Sequence, residues 1–328
     1  MILSRAPVRI LDIGGWTDTW FCPNGAVFNL CIDLYSYSKI SQNYLNKTRI
    51  FAENLDQSVE ISDINSIVYD GKLDLLKAAI KKMDIRTNLD VYIRTEAPPG
   101  CGTGTSASVA VSLISGLAFF SKRKINRHQI AQFAHKLEIE ELNLESGVQD
   151  QFAASYGGIN FMNINYPNVK ITKINIDKKK ITLLENLLIL VYFGSRSSSE
   201  MHKAVIKKFL KKDQKVILSF EKMKECAYEM KRAIKLDISD IGRIMNKNWD
   251  AQKELHSLMT NNIIKKAEEI AHHHGALGFK CNGAGGGGSA TILADVGREY
   301  QLKKELVEND FTILPFKLNF DGVDSFSL

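Results

Sequence analysis

Glu96-Ala97-Pro98-Pro99-Gly100-Cys101-Gly102-Thr103-Gly104-Thr105-Ser106-Ala107-Ser108 is the stretch of this 328-residue chain whose reading decides the fold. Glycines alternate from 100 to 104, hydroxyl side chains follow, and Val109 to Leu117 continues as an apolar helix. Glycine lets the backbone approach a ligand and turn its N–H groups inward. The first turn of a helix adds unpaired N–H donors and the positive end of the dipole. Thr105, Ser106 and Ser108 bring hydroxyls suited to capping, to phosphate oxygen or to Mg²⁺. The segment reads as a cradle for a nucleotide polyphosphate, drawn from Pro99, Gly100, Cys101, Gly102, Thr103, Gly104, Thr105, Ser106 and Ser108. It is not a Walker A loop, because no Gly-Lys-Ser/Thr follows the glycines.

A second glycine run, Lys280-Cys281-Asn282-Gly283-Ala284-Gly285-Gly286-Gly287-Gly288-Ser289, formally fits the dinucleotide pattern GxGxxG. That pattern needs a helix after it, whereas Ala290 to Ala294 reads as a strand, so a dehydrogenase is excluded. Four successive glycines between strands indicate a tight loop whose backbone approaches something closely. Near the N-terminus, a strand pattern around Ile10 and Ile13 ends at Gly14-Gly15, followed by Trp16, Thr17 and Asp18. An aromatic plane beside a carboxylate suits a sugar, although taken alone the segment fits better as a hairpin with a core Trp and a turn-capping Asp.

These three segments, with Glu145-Ser146-Gly147-Val148-Gln149-Asp150-Gln151-Phe152-Ala153-Ala154-Ser155-Tyr156-Gly157-Gly158, resemble the GHMP kinase superfamily, in family order along the chain. Within it, Gly147 to Ala154, Gly157 to Met162 and Asp70-Gly71-Lys72-Leu73-Asp74 are most similar to the bacterial kinases of D-glycero-D-manno-heptose 7-phosphate. Trp16 departs from their usual Gly-Gly-Gly-Thr-Asp and is similar to fucokinase-like members instead. The resemblance implies an α+β GHMP kinase fold. Residues 1–185 would form a ribosomal S5 domain 2-like N-terminal domain and 186–328 a ferredoxin-like C-terminal domain, with the site between them.

It also implies an ATP- and Mg²⁺-dependent kinase acting on a sugar or sugar phosphate. Asp150 matches the family's catalytic aspartate, and Arg9 its basic residue, with Arg5 a nearby competitor. Mg²⁺ would be held by Ser106 and Glu138, with Glu140 and Glu141 alternatives on the same helix. Gly15, Trp16, Asp18, Gly285, Gly286 and Gly287 would contact substrate. Arg196 is a candidate grip on a substrate phosphate, since a guanidinium fits phosphate bidentately. The competing activities are a kinase for a neutral sugar such as fucose and a catalytically silent sugar-sensing protein. Asp150, Ser106 and Glu138 speak against the latter.

The whole chain agrees with this reading. It is 45% hydrophobic, long enough for two domains, and carries five scattered cysteines without CxxC spacing. With no signal peptide and no spanning apolar run, a cytoplasmic protein is expected, with no membrane or nucleic-acid partner and an open oligomeric state. The net charge of +6 suits anionic substrates. Helices are expected over 73–85, 129–142, 220–235 and 262–274. Strands are expected over 27–34, 89–93, 289–293 and 311–320, and the run from Leu183 to Phe193 reads as a buried strand.

Overall fold

The computed structural model describes residues 1–195 and 199–328. The first part of the chain runs β1 (Ile2–Ile13), β2 (Asn24–Gln42), β3 (Thr48–Ala52), β4 (Gln57–Ile61), α1 (Asp74–Lys82), β5 (Leu89–Thr95), α2 (Thr105–Phe120) and α3 (Arg127–Lys136). It continues through α4 (Gln149–Tyr156), β6 (Ile159–Asn165), β7 (Asn168–Lys173), α5 (Lys178–Leu187), β8 (Leu188–Gly194), α6 (Ser199–Leu210), α7 (Gln214–Ala233) and α8 (Ile238–Lys253). The last elements are α9 (Asn262–His273), β9 (Ala276–Cys281), β10 (Gly288–Ala294), α10 (Glu299–Glu308), β11 (Thr312–Leu314) and β12 (Asp324–Ser327).

Two sheets result. The larger follows the path β12-β1-β2-β5-β3-β4, with β6 added on β2 and β7 on β6; the smaller has the order β11-β8-β10-β9. That second order, first strand beside fourth and third beside second, is the ferredoxin-like arrangement. The C-terminal strand β12 leaves this part and returns to pair with β1 at Ile2 to Arg5.

Helix α2 is apolar nearly all round and is buried between the larger sheet and its neighbours, through Ala110, Leu113, Ile114 and Leu117. Two of its hydroxyls tie it to the first strand: Ser108 donates to the Ala6 carbonyl at 2.7 Å and Ser112 to that of Ser4 at 3.1 Å. Helix α3 opens with a complete capping box between Asn126 and Gln129. Asp177, Asp213, Asp237 and Asn261 cap α5, α7, α8 and α9 in the same sense, each through a side-chain oxygen.

Three expectations change. The apolar run from Leu183 is the end of α5, whose Leu184 and Leu187 face the core, and the strand starts only at Leu188. The helix expected over 129–142 stops being α-helical at Lys136 and continues as a π turn, Leu137–Glu141. Of the strand expected over 311–320, only Thr312–Leu314 is paired in the second sheet, because the chain then turns back toward the first sheet. Among the described residues no helix is long and apolar enough to cross a membrane.

The seam between the sheets is polar and buried. Lys280 on β9 and Asp12 on β1, 0% and 1% exposed, form an ion pair at 3.0 Å. The Asn282 amide oxygen accepts from the Leu11 N–H at 3.0 Å, and that of Asn248 from the Gly14 N–H at 2.8 Å. Removing one partner of a buried ion pair leaves an uncompensated charge in the core. Lys280→Met is therefore expected to lower stability by about 3–5 kcal/mol, seen in the denaturation midpoint. Asp12→Asn/Lys280→Met should regain a large part of the loss; a double variant as unstable as the single would show that the charge pair is not the cause.

Candidate active site

A cleft of about 360 Å³ opens along this seam. Strand β1 delivers its first two side chains. In a regular strand Arg9 and Asp12, three apart, would point to opposite faces. The β1–β2 register is broken between Ile10 and Ile13, and Leu11 sits at φ +54°, so both side chains reach the cleft. Positive φ at a leucine is strained and recurs at functional sites.

Arg9 grips Asp150, in the first turn of α4, with both arms of the guanidinium: Nε to Oδ1 at 2.8 Å and Nη2 to Oδ2 at 3.1 Å. Its Nη1 donates to the Gly102 carbonyl and lies 3.9 Å from Asp12 Oδ1. Burial works against this charge, but Asp150 and Asp12 outweigh it and hold the guanidinium pKa above its usual value. The competing Arg5 lies elsewhere, over the Tyr35 ring and 4.0 Å from Asp324. Gly104 is in contact with Asp150: a Cβ there would stand 3.0 Å from the carboxylate.

Gly100, Cys101, Gly102, Gly104, Thr105 and Ser106 line the cleft, and Pro99, Gly100, Thr105 and Ser106 also line a second cavity of about 450 Å³ behind the loop. The remaining wall of that cavity is largely apolar, with Ala52, Leu55, Leu73, Ile93 and Val109. Ser108 and Thr103 depart from the expectation. The Ser108 hydroxyl is spent on Ala6 inside the core, and Thr103 is fully buried, its carbonyl accepting from the Arg9 backbone N–H at 3.0 Å.

Glu138 lies on the π turn, directed inward behind Ser146. It accepts from the Ser146 hydroxyl and, at 2.8 Å, from Gln151 Nε2. Burial, reinforced by the Asp150 charge, pushes its carboxyl up to about 7. Glu141 points to α1 instead, where it pairs with Lys82 at 2.5 Å and accepts from the Tyr69 hydroxyl at 2.9 Å. Such single π turns recur at functional sites because they rotate side chains out of helical register.

Asp18 and Trp16 both face the cleft. Asp18 accepts from the Gln149 backbone N–H at 3.1 Å and presses on Gly147, where a Cβ would come within 2.1 Å of its carboxylate. Trp16 lies beside the His202 imidazole, ring centres 4.6 Å apart and planes tilted by 44°, and donates from Nε1 to the Ala284 carbonyl at 3.3 Å. Gly15 lies behind the wall, with its N–H on the Asp12 carbonyl.

The second glycine run contributes Gly283 and Ala284 to the cleft rather than Gly285, Gly286 and Gly287. Gly286 donates its N–H to Met259, and a Cβ on Gly285 would meet Gln252 and Met259 at 3.2 Å, so this part of the loop packs on the second domain. Gly288 makes the close approach between the two glycine loops, 2.7 Å from the Gly100 and Cys101 carbonyls for a Cβ. Arg196 lies outside the described residues. Asp12, Thr19, Glu145, Gln149 and His202 line the cleft without having been singled out from sequence. Asp12 lies in the first strand motif and Glu145 and Gln149 in the segment around Asp150, so these three sat inside quoted motifs, whereas Thr19 and His202 carried no local signal.

A bidentate arginine–aspartate pair beside a glycine loop and a helix N-terminus, set between two domains, defines a phosphotransferase of the kinase class. Two family models match the chain, GHMP kinases N terminal domain over residues 73–158 and GHMP kinases C terminal over residues 230–310. The D-glycero-alpha-D-manno-heptose 7-phosphate kinase of Campylobacter jejuni is 27% identical, over 100% of this chain and 99% of that protein. The bifunctional fucokinase/GDP-fucose pyrophosphorylase of Arabidopsis thaliana is 28% identical over 92% of this chain, which spans 31% of that longer protein. The crystal structure of a D-glycero-D-manno-heptose 1-phosphate kinase from Bacteroides thetaiotaomicron superposes with a TM-score of 0.83 at 23% identity, covering 100% and 99% of the two chains. The chain belongs to the GHMP kinases, a family of ATP-dependent phosphotransferases.

The buried Asp18 carboxyl gives a pH signature. Burial, and then the Asp150 charge, push it up to about 6. Between its ordinary value near 4 and 6 the folded chain therefore holds a proton that the unfolded chain has released. This contribution to stability is complete below about 4 and is lost as pH rises through 6. Asp18→Asn abolishes that loss, so its Tm relative to wild type should climb between pH 5 and 7.5, by no more than about 3 kcal/mol in stability. A difference that stays flat across this range would show that Asp18 carries no such burden.

Proposed function

We propose that the protein transfers the γ-phosphoryl group of ATP to the anomeric hydroxyl of a sugar, and that the sugar is D-glycero-D-manno-heptose 7-phosphate. The observation that carries this reading is the position of the glycine loop. Gly100, Thr105 and Ser106 belong to both cavities, one largely apolar and one holding Asp150. A purine fits the apolar cavity, its phosphates run along the loop, and the γ-phosphorus emerges beside Asp150. The end-to-end similarity to the Campylobacter jejuni heptose 7-phosphate kinase supports the choice of sugar.

In this mechanism Asp18 and Gln149 accept from and donate to sugar hydroxyls, placing the anomeric oxygen against Asp150. The new bond forms between that oxygen and the γ-phosphorus while the bond to the leaving ADP oxygen breaks. The hydroxyl proton passes to the Asp150 carboxylate. Arg9 holds both carboxylate oxygens in place and sets a fixed positive charge beside the transferring phosphoryl.

A Mg²⁺ ion fits the residues present. Glu138 is a fully buried carboxylate with hydroxyl and amide donors and no cation partner among the described residues, and the Gln151 Oε1 beside it is an unsatisfied buried acceptor. Ser106, on the cleft wall, would add a third oxygen donor to these two, and among the described residues no cluster of three acidic, cysteine or imidazole groups makes an all-protein site. When bound, the ion neutralises charge on the phosphates.

Asp150→Asn is expected to lower kcat by about 10²–10⁴ with ATP affinity little changed. Turnover within threefold of wild type would remove Asp150 from this role. Ser106→Ala and Glu138→Gln should each raise the Mg²⁺ concentration for half-maximal rate; an effect confined to Glu140→Gln would move the ligand to that position. ADP release against sugars with and without a terminal phosphate tests the acceptor. Turnover of fucose or another neutral sugar above every sugar phosphate would replace the heptose 7-phosphate assignment, as the similarity to a fucokinase and the cleft position of Trp16 would then favour.

A further inference from the structure

One row of the larger sheet carries amides where its neighbours are apolar. On β2 and β6 the side chains that pack with Val148, Phe152 and Ala153 of the α4 segment are Val27, Cys31, Met162 and Ile164. Asn29 and Asn160 share that row by the two-residue period of a strand, and they face each other across the two strands. Both are completely buried. A buried amide costs free energy unless it is hydrogen-bonded, whereas an aliphatic side chain would pack there without that cost. Asn160 even leaves its Oδ1 without a partner. Buried polar atoms are so regularly paired that this exception calls for a reason.

The two amides begin a chain that ends in the cleft. Asn160 Nδ2 donates to Asn29 Oδ1 at 3.2 Å, Asn29 Nδ2 to Gln149 Oε1 at 3.5 Å, and Gln149 Nε2 to Asp18 Oδ1 at 3.5 Å. Its direction is set at both ends. Asn160 Nδ2 also faces the Gly158 carbonyl, which can only accept. Asp18, at the other end, is a carboxylate that already accepts from the Gln149 backbone N–H at 3.1 Å. Turning the Gln149 amide round would set its oxygen against that carboxylate and its N–H groups against those of Asn29. The last two contacts are long, so the chain contributes orientation more than strength. Gln149 and Asp18 both line the cleft. An amide nitrogen has two hydrogens; with one on Asp18, the other is left for an oxygen of the acceptor.

We infer that Asn29 and Asn160 are positioning residues for the acceptor, holding the Gln149 amide with its NH₂ end toward Asp18 so that the cleft presents a donor beside an acceptor. A neighbouring pair of sugar hydroxyls meets both, one donating to Asp18 and the other accepting from Gln149. This rests on the reading of Asp18 and Gln149 as the groups that hold the sugar, and it adds the residues that decide which way round they do so. Neither asparagine lines the cleft, and neither is hydrogen-bonded to Asp150 or to the glycine loop. Their effect therefore falls on acceptor affinity and leaves ATP affinity and the chemical step alone.

The test is a double-variant cycle on the intact chain with ATP, Mg²⁺ and whichever sugar the ADP-release panel selects, so an error in the choice of sugar does not enter it. Asn29→Leu keeps the size of the side chain and breaks the chain of amides. It should raise KM for the acceptor by about three- to tenfold, the size of one ordinary hydrogen bond, with KM for ATP within about twofold and kcat at saturation within about threefold. Gln149→Ala should raise the acceptor KM at least as much. Asn29→Leu added to Gln149→Ala should then change it by less than about twofold, because the amide to be oriented is gone. An Asn29 that only supports the fold would lower Tm and either leave the acceptor KM unchanged or act equally in both backgrounds; each of these results would overturn the positioning role. An unchanged acceptor KM in Gln149→Ala would instead overturn the reading of Gln149 as a sugar contact, so the two failures are distinguishable. If Asn29→Leu does not fold, Asn29→Ser, too short to bridge Asn160 and Gln149, takes its place in the cycle. The same non-additivity with Gln149→Ala is expected, and its absence would refute the inference.

Discussion

The ion pair between Asp12 and Lys280 is the constraint on which the rest of this structure depends. Two charges with no access to water are costly unless every hydrogen-bonding direction is met. Here Lys280 also donates to the Cys281 carbonyl at 2.7 Å, and both Asp12 oxygens accept from the Gly283 N–H, at 3.1 and 3.0 Å. Burial lowers the Lys280 pKa, and Asp12 opposes that. One satisfied pair thus nails the end of β1 to the end of β9. Each of those strands leads directly into a loop that builds the cleft, so fixing their ends fixes the site.

The same strand carries Arg9, and the break in its register is what turns one structural residue and one chemical residue to the same side. Arg9 then reaches from the first strand to α4 and to the glycine loop, contacting Asp150 and the Gly102 carbonyl together. Glycine is required where these elements meet. Gly104 lies against Asp150, Gly147 against Asp18, and Gly288 against the carbonyls of the opposite loop, each too close for a side chain. The cleft is preorganised by contacts that leave little room for adjustment, which is how a phosphoryl-transfer site gains from positioning.

Its electrostatics follow from the same crowding. Asp18 and Glu138 are both buried within the field of Asp150, and both are pushed up, to about 6 and about 7. The protein holds excess negative potential where hydroxyls and a cation would bind, and concentrates its fixed positive charge on Arg9. Stability is given up at these carboxylates for binding capacity, a common trade at functional sites.

Much of this was legible in the sequence because it is written in local terms. Alternate glycines before an apolar helix, a strand ending in Gly-Gly, and four glycines between strands are short-range signals. Together with the Gly147 to Ala154 segment they located the family, the α+β fold and the loop around Gly100. Helices such as α1, α7 and α9 were visible from apolar periodicity. The sequence did not reveal relations between segments far apart in the chain. That Asp12 would be neutralised by Lys280, that Ser108 would be spent on Ala6, that Gly283 and Ala284 would face the cleft in place of Gly285 to Gly287, and that His202 would pack on Trp16 all depend on tertiary packing. So does the π turn that sends Glu138 inward and Glu141 to Lys82. The physical reason is that backbone conformation is encoded over a few residues, whereas the partner of a buried charge or ring is chosen by whatever the folded chain brings within a few ångströms of it.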